Sequence, residues 1–88
     1  MLQIVAETTP NPNSMKFTLN KTVAQKGEFY STPAQGEKSP LAKKLFGLPG
    51  VAAVFLLNNF VTITRQPTAD WEPLVAAVKE TLQSHFSE

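Results

Sequence analysis

Cysteine is missing from this sequence altogether, and histidine, tryptophan and tyrosine occur once each. Without cysteine there is no disulfide, no thiolate nucleophile and no thiolate ligand for zinc or a metal–sulfur cluster. The lone histidine, His85, sits three residues from the C-terminal end of the sequence, at the end of a predicted helix. An acyl-transfer triad needs a histidine held between a nucleophile and an orienting acid, so that chemistry is excluded here. His85 is instead expected at a helix end, where its cation meets the negative end of the dipole. No HxxxH, CxxC or calcium-loop spacing occurs, and the four glycines do not form a phosphate-cradling loop. Weak iron or magnesium binding by scattered carboxylates is the only metal chemistry left open.

Long hydrophobic runs are also lacking. The longest, Val51 to Leu57, is far short of the roughly 20 residues that span a bilayer. The N-terminal stretch MLQIVAETT has no basic start followed by an apolar run, so no signal peptide is expected and the predicted address is cytoplasmic, with no membrane association. What is present is ordinary for a globular chain: 88 residues, 42% apolar and 17% charged, enough for one domain spanning residues 1–88.

Net charge is +1 but unevenly spread. Residues 1–44 carry six lysines against three glutamates, net +3, whereas residues 45–88 carry net −2. So small an excess gives weak steering of an acidic partner, and most such lysines solvate a surface. The carboxylates have structural explanations as well. Asp70 and Glu72 precede or open a predicted helix, where acids favour the dipole, and Glu28 and Glu37 lie in an irregular stretch.

Leu2, Ile4 and Ala6, then Met15, Phe17 and Leu19, alternate with polar or outward neighbours, the period of two that marks half-buried strands. Between them Pro10 and Pro12 lack the donor a ladder requires, and Asn11 and Asn13 tolerate left-handed backbone or bond their own backbone. A turn is predicted there. Residues 20–38 are broken by Gly27, Pro33 and Gly36, and only residues 28–31 are predicted as a short strand. Ser39 before Pro40 predicts a helix of about two turns ending at Phe46, with Gly47 as a left-handed cap.

Val51 to Leu57 and Phe60 to Arg65 predict a hairpin through Asn58 and Asn59, both in positive φ. Trp71, Leu74, Val75, Val78, Leu82 and Phe86 recur at three and four residues, predicting a last amphipathic helix over 71–86. Most aromatic residues, Phe55 and Phe60 among them, are assigned to the core. The order β-β-(β)-α-β-β-α predicts an α+β fold of two layers, a mostly antiparallel sheet with both helices on one face.

The segments TPNPNSMKF (9–17), SPLAKKLFGLPGVAAVFLLNNFVTITR (39–65) and DWEPLVAAV (70–78), in that order and spacing, resemble the N-terminal domain of the Nfu/NifU scaffold proteins over nearly the whole chain. The resemblance implies participation in iron–sulfur cluster assembly or delivery. In that family the cluster is held by a CxxC motif in a second, C-terminal domain, whereas these residues contain no cysteine. What it implies for this chain is therefore a stand-alone accessory or adaptor module, not an enzyme and without cofactor. Its partners would be iron–sulfur assembly proteins or client apo-proteins, docked through Pro10, Asn11, Asn13 and Ser14 and through Lys43 and Lys44 on the first helix. The alternative from another class is a small nucleic-acid-binding domain using the lysine-rich first half; it lacks the aromatic ribonucleoprotein motif.

Overall fold

In the computed structural model, which describes residues 2–86, five strands form one sheet. They are β1 (Ile4–Thr8), β2 (Ser14–Leu19), β3 (Ala24–Tyr30), β4 (Val51–Asn58) and β5 (Phe60–Arg65), in the order β1-β2-β5-β4-β3, every neighbouring pair antiparallel. Three helices join them: the single turn α1 (Pro33–Gly36), α2 (Pro40–Phe46) and α3 (Trp71–Phe86). The α+β prediction holds, with helices against one face.

Register explains which face. Ile4 stands opposite Leu19, Ala6 opposite Phe17, Phe17 opposite Val61, and Val61 opposite Leu56, so one apolar set crosses four strands on a single side. Leu41, Ala42 and Leu45 of α2 and Leu74, Val78 and Leu82 of α3 close over it, and all join one buried cluster. Helix α2 forms because Ser39 Oγ accepts the Ala42 amide at 3.2 Å and Pro40 occupies the first turn.

Four expectations are corrected. The region 20–38 contains seven residues of strand and a helical turn, not one short strand. β3 is an edge strand whose Gln25, Lys26 and Gly27 are exposed, which erases the alternation that a half-buried strand shows. Helix α1 is capped by Thr32, whose hydroxyl accepts the Gln35 amide, and opens on Pro33, the same signal as Ser39–Pro40.

Gly47 does not cap α2 in the left-handed region. Its φ is −71°, and its amide reaches the carbonyls of Lys43 and Lys44. The chain tightens on for one more turn and the positive φ falls at Gly50, at +98°. In the β4–β5 turn only Asn58 has positive φ, +50°. Asn59 instead ties the turn to β2, accepting the Leu19 amide at 2.7 Å and donating its side-chain amide to the Leu19 carbonyl at 3.1 Å.

Phe55 and Phe60 do not join the core. Phe55 lies between the buried Val54 and Leu56 on a strand with side chains on alternate faces. β4 is apolar on both sides, so periodicity could not separate its inner set from its outer set.

Candidate functional site

Residues 9–14 form a corner fixed mostly by its own side chains. The Ser14 amide donates to the Asn11 carbonyl at 3.0 Å, closing a four-residue turn in which proline at the second position has the φ required. The Asn13 amide donates to Asn11 Oδ1 at 2.9 Å. Thr9 Oγ1 accepts the Asn11 amide at 3.2 Å and has its own hydrogen within reach of the Asn11 and Ser14 carbonyls, at 2.9 and 3.1 Å. Neither asparagine adopts positive φ; they hold the turn through side-chain bonding.

Two residues from the far end of the sequence lock this corner to the fold. Arg65 donates from Nε to Asn13 Oδ1 at 3.3 Å and from Nη1 to the Ala69 carbonyl at 2.9 Å, and its guanidinium lies 5.4 Å from the Trp71 ring centroid. Trp71 Nε1 donates to the Pro12 carbonyl at 3.0 Å. The Arg65 amide bonds the Asn13 carbonyl at 2.8 Å, and the Ser14 and Thr64 hydroxyls meet at 2.9 Å. Pro10, Asn11 and Pro12 remain exposed. With Thr8, Met15 and Trp71 they line a recess of about 270 Å³ whose walls are mainly apolar.

Arg65 and Trp71 were not among the predicted site residues. Sequence periodicity places Trp71 only in the stripe of the last helix, and nothing in the local sequence marks Arg65. Lys43 and Lys44, the other predicted cluster, are exposed on α2. Lys44 Nζ lies 3.1 Å from Nδ1 of His85, near the end of α3 opposite Trp71. Fourteen residues of helix separate Trp71 from His85, about 21 Å at the α-helical rise. The structure therefore places the two predicted clusters at opposite ends of α3.

The first-half lysines do not gather on one face either. Lys16 lies over the Phe60 ring on the sheet's outer side, while Lys21 lies over Phe86 of α3. Among the described residues no three histidine, aspartate or glutamate side chains come together as a metal site. None of the helices among the described residues is long and apolar enough to cross a membrane.

The Tyr30 hydroxyl is perturbed. Tyr30 donates its hydroxyl to Glu28 Oε1 at 2.5 Å, and this bond, with desolvation and the glutamate's charge, raises the phenol above its ordinary 10.0. A raised folded pKa means the contribution to stability is complete below the unfolded value and is lost as pH rises through the folded one. Tyr30 is the chain's only tyrosine, so an ultraviolet absorbance titration reads it alone. Its midpoint is expected above 10.0 and should fall toward that value in Glu28→Gln; equal midpoints would mean that the bond does not form in solution.

The model of the family described as "Scaffold protein Nfu/NifU N terminal" matches residues 4–88. A human protein named "NFU1 iron-sulfur cluster scaffold homolog, mitochondrial" is 37% identical over 86 residues, covering 96% of this chain and 34% of that protein. The protein of the same name from Drosophila willistoni is 42% identical over 80 residues, covering 85% of the chain and 28% of its own length. The chain thus spans about a third or less of these relatives. The solution structure of a NifU-like protein from Saccharomyces cerevisiae superposes with a TM-score of 0.84 at 23% identity, over 98% of this chain and 79% of that one. At that identity the likeness is one of fold.

The relatives' names place them in mitochondria, which overturns the cytoplasmic address expected above. That expectation rested on the lack of a leader pattern, and compartment is written in such segments, which the composition of a folded chain does not reveal.

Proposed function

Because this chain belongs to the family of Nfu/NifU scaffold N-terminal domains, we propose that it serves iron–sulfur cluster assembly or delivery as a docking module of one domain, without catalysis of its own. The cluster is cargo in this scheme. These 88 residues contain no cysteine, so they do not fit the thiolate set that holds such a cluster. Docking uses the exposed rim of the corner, Pro10, Asn11 and the recess beside Trp71, with Asn13 and Ser14 bracing it from beneath. Lys43 and Lys44 supply a second, basic contact at the far end of α3.

The observation that supports this most is the cross-linked corner. Proline, asparagine and a cation-stacked tryptophan hold an exposed loop in one conformation, so little ordering entropy is lost when a partner seats on it. The recess is apolar and small, suited to one or two side chains rather than a metabolite.

Affinity capture from native extract, followed by binding measurements with the purified partner, tests the proposal. Cysteine desulfurases, scaffolds or iron–sulfur apo-enzymes are expected. Pro10→Glu and Lys43→Glu, both at exposed positions, should each weaken the complex about tenfold, the effect of losing about 1.4 kcal/mol at an interface. Partners unconnected with iron–sulfur proteins would refute the role, and unaltered affinity in both variants would refute the sites.

A further inference from the structure

The sheet's outer face, turned away from the helices, carries an apolar row that has no part in the core. Phe29 on β3 stands opposite Phe55 on β4, and Leu57 on β4 stands opposite Phe60 on β5. Ring centroids are 6.5 Å apart for Phe29–Phe55 and 6.0 Å for Phe55–Phe60. Phe29 is 62% exposed, and Val5 at the opposite edge is 57% exposed. Gly27 adds a notch: a Cβ there would sit 3.6 Å from Phe55 Cε1 and 3.8 Å from Leu57 Cδ1, at ordinary contact distance, so both side chains are left uncovered beside it.

Size and charge select the occupant. Five strands about 4.8 Å apart and about 20 Å long present roughly 400 Å², half of the ~800 Å² per partner that a stable dimer buries. A second copy of the chain is therefore not the fit. Flat stacking of successive nucleobases is disfavoured too, since the rings are tilted 52° and 50° to one another. The aromatic row occupies only the adjacent strands β3, β4 and β5, about 10 Å across at two strand spacings, which a single α-helix about 10 Å wide and about 13 residues long covers along the strands.

Lys16 is the cation next to the aromatic row. Its ammonium leans toward Phe60, away from Glu7 across β1, and among the described residues no carboxylate pairs with it. We propose that this face docks an amphipathic helix of a partner protein, its apolar stripe over Phe29, Phe55 and Phe60 and an acidic side chain on Lys16. The surface is separate from the 9–14 corner and does not depend on the iron–sulfur role.

Heteronuclear NMR of the whole chain tests it with designed helical peptides of about 14 residues, sharing one leucine stripe and flanked by glutamate or by lysine. The glutamate-flanked peptide should shift the amides of Phe29, Phe55 and Phe60 and bind about tenfold tighter than its lysine-flanked twin. Phe29→Ser and Gly27→Gln, at exposed positions that leave the core untouched, should each reduce affinity about tenfold, and Lys16→Glu should reverse the charge preference. The proposal is overturned if neither peptide shifts this face, if shifts are confined to the helix layer, if oligo(U) shifts the face instead, or if sedimentation shows the face covered by a second copy. No iron–sulfur protein takes part, so this outcome and that of the capture experiment are independent.

Discussion

Phe17→Ala should reduce stability by about 3–5 kcal/mol, the range for truncating a buried aromatic residue. Its side chain is fully buried, on a strand flanked by β1 and β5, with Ala6 and Val61 as direct cross-strand neighbours. No element can collapse into the space without breaking the ladder on both sides. A chain of this length typically has about 5–12 kcal/mol in total, so the variant should be near or past its folding limit. In urea the midpoint should drop sharply with little change in slope. Phe29→Ala is the internal control: the same residue type in the same sheet, on the other face and 62% exposed, should stay within about 0.5 kcal/mol of the parent. Comparable losses in the two variants would mean that the inner and outer faces are misassigned.

The contrast divides the TPNPNSMKF segment. Met15, Phe17 and Leu19 of that region or just beyond it hold the sheet to the helices, whereas Pro10 to Asn13 reach solvent and add little to the core. A sequence match to the segment therefore mixes a packing requirement with whatever the loop is for, and only variants of the exposed half report on docking.

Local signals were readable wherever one face of an element is polar. β2 alternates cleanly because Lys16 and Thr18 look outward from Phe17 and Leu19, and α3 follows its stripe from Trp71 to Phe86 because solvent takes the rest of the helix. β4 carries no such contrast: Phe55 and Leu57 are as apolar as Val54 and Leu56, and only the pairing with β3 and β5 decides which set the helices cover. β3 fails for the opposite reason, being too polar along its edge. At the corner, turn chemistry located Pro10, Asn11, Asn13 and Ser14 correctly in a tight turn. The residues that brace it, Arg65 and Trp71, lie 52 positions from Asn13 and 59 from Pro12, and a contact at such separation leaves no trace in one sequence.

The second large effect is expected at Gly50, through which the fold and the corner are coupled. Its φ is +98°, a region that side-chain-bearing residues rarely enter, and an added Cβ would lie 2.7 Å from the Cβ of Ala69. Backbone strain of about 1–3 kcal/mol and overpacking of about 1–3 kcal/mol both fall on Gly50→Ala, so a loss of about 2–6 kcal/mol is expected in a urea titration. The two costs separate experimentally. Ala69→Gly in the Gly50→Ala background removes the clash and leaves the strain, so it should recover part of the loss; recovery of none would mean that the collision does not occur.

The same clash reaches the 9–14 loop through a short chain of bonds. The Gly50 carbonyl accepts the Gln66 amide at 2.7 Å, and Ala69, pushed by the new methyl, is the residue whose carbonyl holds Arg65 Nη1. If Ala69 moves, Arg65 loses one of its two anchors and its hold on Asn13 weakens, and the indole stacked on it loses its partner. Trp71 is the chain's only tryptophan, so its fluorescence reads that event directly. Gly50→Ala should shift the native-state emission of Trp71 below the onset of unfolding, and Ala69→Gly should restore it. A stability loss with unchanged Trp71 emission would separate the 50–69 contact from the corner and leave the rigidity of residues 9–14 to their own turn chemistry.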